Sequence, residues 1–134
     1  MTDLSDRVDA AGINGLHDAQ IKEIAFDLVQ RTILVRAEVC MDDPDADGHD
    51  VWCPAEIKFS GISRFTIDGW LDLRDGVGRA DFGDGIPPRS SVEGPATAAT
   101  HWIYMTEPNT FVVFDAADVS IRVSGPTPRA SLLR

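Results

Sequence analysis

The chain has 134 residues, 43% apolar and 25% charged, a composition that fits one globular domain able to bury its own core. Its 22 acids outnumber its 12 Lys and Arg, giving a net charge of -10. That balance argues against nucleic acid and anionic membranes, which are recognised through clustered cations. It permits a basic protein partner, or simply keeps the protein soluble and monomeric.

In chain order, residues 1–15 are acidic and polar and read as a flexible segment. A single β domain is expected over 16–123, followed by a flexible tail over 124–134 that contains two prolines. No cationic stretch precedes an apolar one, and no apolar run reaches the ~18 residues of a membrane helix. The expectation is a cytoplasmic protein in which Cys40 and Cys53 stay reduced.

Residues 18–30 fit two periods. Ile21, Ile24, Ala25 and Leu28 have helical spacing with Asp18 as N-cap, whereas Ile24, Phe26 and Leu28 alternate as in a strand. The next two runs are unambiguous. From Arg31 to Met41, the residues Ile33, Val35, Ala37, Val39 and Met41 share one face. From Val51 to Ser60, the residues Val51, Cys53, Ala55, Ile57 and Phe59 do the same.

The 42–50 connection centres an antiparallel pairing on Ala46. It sets Ile33 opposite Phe59, Val35 opposite Ile57, Ala37 opposite Ala55 and Val39 opposite Cys53. A slip of one residue would turn an apolar row to solvent. The same register places Arg36 beside Glu56 and Cys40 beside Trp52, with the two cysteines on opposite faces and no disulfide between them.

Further strands are expected at 64–67, 70–73, 101–106, 109–114 and 119–123. Asp68-Gly69 has the spacing of a type I′ hairpin, and Glu107-Pro108 lies between two strands of a second hairpin. That second hairpin is apolar on both faces, so its strands are buried on both sides or cover an interface. Both a monomer and a homodimer are compatible with this. The expected fold is mainly β, a single-domain antiparallel sandwich or partly closed barrel of about seven or eight strands with at most one short helix.

The sharpest local signal is Asp43-Pro-Asp45-Ala-Asp47-Gly48. Its alternating carboxylates and glycine resemble the opening of a calcium loop. An EF-hand needs a bidentate Glu where this chain has Pro54, and it needs flanking helices where strands are expected. What remains as an alternative is a looser calcium or small-ligand site on Asp43, Asp45 and Asp47; no other cofactor is called for. The main reading is a solvated, strongly negative hairpin tip. Asp42, Asp43, Asp45, Asp47 and Asp50 would form a partner-binding surface with Trp52, which falls on the face opposite the apolar row.

Cys40, His49, Cys53 and His101 lack the close Cys or His pairs of a structural zinc site. There is no Gly-x-Ser-x-Gly elbow, and the glycines at 76, 78, 83 and 85 lie among aspartates and open no helix. His17 and Asp18, as neighbours in a strand, point to opposite faces. A hydrolase or isomerase would need two carboxylates gathered beside His101 or His17, which no spacing identifies.

The run Leu16-His17-Asp18-Ala19, followed by an alternating hairpin, Ile57-Lys58-Phe59-Ser60-Gly61-Ile62 and Asp68-Gly69-Trp70, resembles small all-β bacterial proteins. Some of these look like immunity proteins of polymorphic toxin systems. The resemblance touches about half the chain through short motifs. It implies a strand after Leu-His-Asp-Ala, which decides 18–30 in favour of β, and it implies a cytosolic, non-enzymatic binder; the charge of -10 is compatible with an inhibitor of a basic toxin.

Overall fold

The computed structural model describes residues 4–11, 13, 16, 19–41, 52–69, 78–87, 92, 94–105 and 109–125. One helix, α1 (Leu4–Ala10), precedes eight strands: β1 (Ala19–Asp27), β2 (Thr32–Cys40), β3 (Trp52–Ser60), β4 (Arg64–Asp68), β5 (Arg79–Asp84), β6 (Thr100–Met105), β7 (Thr110–Asp115) and β8 (Asp118–Val123). The strands form a single antiparallel sheet in the order β4-β7-β6-β5-β1-β2-β3-β8, not closed into a barrel.

The β2–β3 ladder has the register set by apolar alternation. Ile33 lies opposite Phe59, Val35 opposite Ile57, Ala37 opposite Ala55, Val39 opposite Cys53 and Cys40 opposite Trp52. The inward members Ile33, Val35, Ile57 and Phe59 are fully buried, so burial on one face fixes the pairing. β1 is a strand, paired to β2 along most of its length with an irregularity between Ile21 and Glu23. The β6–β7 hairpin forms as expected, with Ile103 opposite Val112. The proposed strand 70–73 and its Asp68-Gly69 hairpin lie outside the described residues beyond Gly69.

Two corners fold the sheet onto itself. β3 runs into β4 through residues 61–63, and β7 runs into β8 through 116–117. The corners are joined by Ala117 N–H donating to the Ser60 and Gly61 carbonyls (2.9 and 3.2 Å) and by Ser63 N–H donating to the Asp115 carbonyl (3.1 Å). Gly61 has φ +66°, and a Cβ there would sit 2.6 Å from the Ala117 Cβ, so this close crossing requires glycine. The half containing β1, β2, β3 and β8 therefore packs against the half containing β5, β6, β7 and β4. Edge-to-face rings mark the seam: Phe59 and Phe114 have centroids 4.7 Å apart, and Phe26 and Phe65 are 5.5 Å apart.

Two elements went unread in the sequence. Within the opening segment 1–15, α1 buries Leu4 and Val8, an i, i+4 pair on one helical face, in the main core. β5 carries two inward apolar residues, Ala80 and Phe82, and joins β1 to β6. The doubly apolar hairpin is covered on its outer side at Val113, which is 4% exposed and shares a cleft with Ile86 and Val92.

Candidate functional site

The β2–β3 ladder fixes where the acidic stretch is anchored. Cys40 and Trp52 are its last directly opposed pair, and residues 42–50 follow in the sequence between the two strands. Asp42, Asp43, Asp45, Asp47 and Asp50 lie outside the described residues, as does the calcium alternative on Asp43, Asp45 and Asp47. Trp52 is described and is half-buried. It borders a shallow hollow of about 300 Å³ together with Gln20, Lys22 and Glu38. The outward row of β3 thus presents an aromatic ring at the root of the acidic tip.

Farther along the same outward face, charges alternate across four strands. Arg36 on β2 pairs with Glu23 on β1 at 2.8 Å and with Glu56 on β3 at 3.4 Å, and Arg122 on β8 reaches Glu56 at 3.1 Å. These exposed pairs are worth little individually. Their effect is to neutralise this part of the face and leave the surplus negative charge elsewhere.

Two further polar clusters each contain a buried side chain. In the first, His101 on β6 is fully buried between Phe59 and Phe114, with ring centroids 5.6 and 5.9 Å away. Its Nδ1 meets the carboxylate of Asp84, directly opposite on β5, at 2.7 Å. That carboxylate also accepts hydrogen bonds from the backbone N–H groups of Leu4 and Ser5 and from the Ser5 hydroxyl. The other ring nitrogen, Nε2, has no hydrogen-bond partner among the described residues. His101 is thus a core residue that links α1 to the sheet through Asp84.

In the second cluster, Arg64, Asp115 and Thr100 stand directly opposite one another on β4, β7 and β6. Asp115 accepts from Arg64 Nε at 2.6 Å, from Arg64 Nη2 at 3.2 Å and from the Thr100 hydroxyl at 2.6 Å. Arg64 also donates to the Pro95 carbonyl at 2.7 Å and so ties β4 to the residues just before β6. The Arg64 hydrogen bond, opposed by burial and assisted by Thr100 and the Arg64 charge, holds the Asp115 carboxyl below its ordinary value. Beside this cluster lies a cleft of about 430 Å³, lined by Arg64, Asp68, Thr66, Ile86, Val92 and Val113 among others.

Among the described residues, no three His, Cys, Asp or Glu side chains come together as a metal site. Cys40 and Cys53 are free thiols. Burial first, and the nearby Glu38 carboxylate second, push the Cys53 thiol above its ordinary value, so it behaves as a core hydrophobe. His17 and Asp18 lie outside the described residues. No helix among the described residues is long and apolar enough to cross a membrane.

His101 and Trp52 stand out in the sequence, whereas Asp84 as the partner of His101 and the Arg64, Asp115 and Thr100 triple do not. Strand pairing creates both clusters, and nothing in local spacing could have paired these residues. Comparison with protein-family models, with curated proteins and with solved structures found no match.

Proposed function

We propose that this protein is a non-enzymatic binding module that docks a basic protein partner through the acidic tip between β2 and β3, in the manner of an immunity-type inhibitor of a basic toxin. The observation that carries this reading is the Cys40–Trp52 end of the ladder. It brings a half-buried indole to the base of a connection holding five aspartates in nine residues. Tryptophan with surrounding charge is a favoured anchor composition at interfaces, and a concentrated negative patch accelerates encounter with a cationic surface.

The two buried ionisable groups among the described residues, His101 and Asp115, support a structural assignment. His101 and Asp84 fasten α1, and Asp115 fastens three strands. The surplus charge is thereby left for recognition.

The test is affinity capture from the native host with the wild-type protein and with a variant carrying Asp43→Asn, Asp45→Asn and Asp47→Asn. Enrichment of one basic protein by the wild type, lost with the variant, is the expected result. Equal capture by both, or no basic protein with either, would count against acidic docking.

A further inference from the structure

A second recessed surface lies where α1 meets β5 and β6. The groove is about 370 Å³ and is lined by Leu4, Val8, Leu16, Phe82 and Trp102, with Asp9, Asp81 and Ser5 as its polar members.

Its aromatic member is positioned by a missing side chain. A Cβ on Gly83 would lie 2.4–2.8 Å from three atoms of the Trp102 indole, so the ring lies across the β5 backbone at the one residue that leaves room for it. Trp102 is half-buried and continues into an outward aromatic row. Phe111 packs edge-on to it at 6.4 Å, and Tyr104 stacks on Phe111 at 4.4 Å.

We propose that this groove receives a cationic side chain, arginine-sized and carried by the basic partner, with its stem along Val8 and Leu16 and its guanidinium between the Trp102 ring and the carboxylates of Asp9 and Asp81. The volume sits at the small end of the ~300–1,000 Å³ typical of ligand pockets, which suits one long side chain better than a larger molecule. An indole face attracts a planar cation, and the carboxylates provide matching acceptors. The proposal rests on the basic-partner reading but concerns a surface separate from the acidic tip.

The experiment follows the indole N–H resonances of the 15N-labelled protein during titration with N-acetyl-arginine methylamide, with the neutral citrulline analogue as control. Trp102→Phe assigns the Trp102 resonance. The expected result is a saturable Trp102 shift with the arginine probe and none with citrulline. Asp9→Asn combined with Asp81→Asn should weaken binding by about three- to tenfold while the remaining amide spectrum stays unchanged. The Asp43, Asp45 and Asp47 variant should keep the full response. Absence of a saturable shift, an equal shift with citrulline, an undiminished response in the Asp9 and Asp81 variant, or loss of the response in the tip variant would each overturn the groove assignment. A silent groove leaves capture by the tip standing, and failed capture leaves the probe titration readable.

Discussion

Asp115→Asn is the perturbation that best probes how β4, β7 and β6 are held together. The carboxylate ends β7 and takes two hydrogen bonds from Arg64 and one from Thr100, and its side chain is 12% exposed. An asparagine of the same shape has one acceptor oxygen and an NH2 group that can only donate, so one of the two accepting positions and the charge-assisted pair are lost. Hydrogen bonds to charged groups are worth roughly 1.5–3 kcal/mol. Because Arg64 is 47% exposed, it can turn to water when its partner is lost, which places the cost towards the lower half of that range, about 2 kcal/mol. For a domain of this size that corresponds to a fall in Tm of about 6–10 °C.

The pH dependence has a definite sign. The folded carboxyl titrates below its ordinary value of 3.8, so its stabilisation is fully present above that value and is lost as pH falls through the lowered one. Urea unfolding of both proteins between about pH 7 and about pH 3 should therefore show a constant gap that begins to close only below about pH 4. A gap under about 0.5 kcal/mol at neutral pH, or one that persists unchanged in strong acid, would refute the assignment of Asp115 as an ionised strand clamp.

Further outcomes follow from the same geometry. Gly61→Ala should destabilise by about 2–4 kcal/mol, combining the cost of a non-glycine residue at φ +66° with the overlap against Ala117, as read from urea midpoints. Replacing Gly125, where an added Cβ meets nothing, should cost less than about 1 kcal/mol by the same assay. Thiol labelling of the native protein should modify the half-buried Cys40 well before Cys53, which is 4% exposed and held protonated by burial. Equal rates would mean that the β2–β3 ladder opens readily.

The parts of the fold legible in the sequence are those where one face of a strand pair is buried without interruption. Ile33, Val35, Ile57 and Phe59 specify a register because any slip exposes them. β5 was opaque because Gly83, which normally marks a break, is compensated by an indole from β6, information that lies 19 residues away. α1 was opaque because a seven-residue helix shows one apolar pair and no repeat, and because its N-terminal N–H groups are satisfied by Asp84, 79 and 80 residues distant. The acidic tip was legible as composition, whereas the groove beside Trp102 exists only once α1, β5 and β6 meet.

The most direct measurement of acidic docking is the association rate constant with the captured basic partner, followed against ionic strength for the wild type and for the Asp43→Asn, Asp45→Asn, Asp47→Asn variant. Removing three charges from a steering patch should slow association by about tenfold at low salt and flatten its salt dependence. Identical rate constants and identical salt slopes in the two proteins would contradict recognition through the tip of the β2–β3 hairpin.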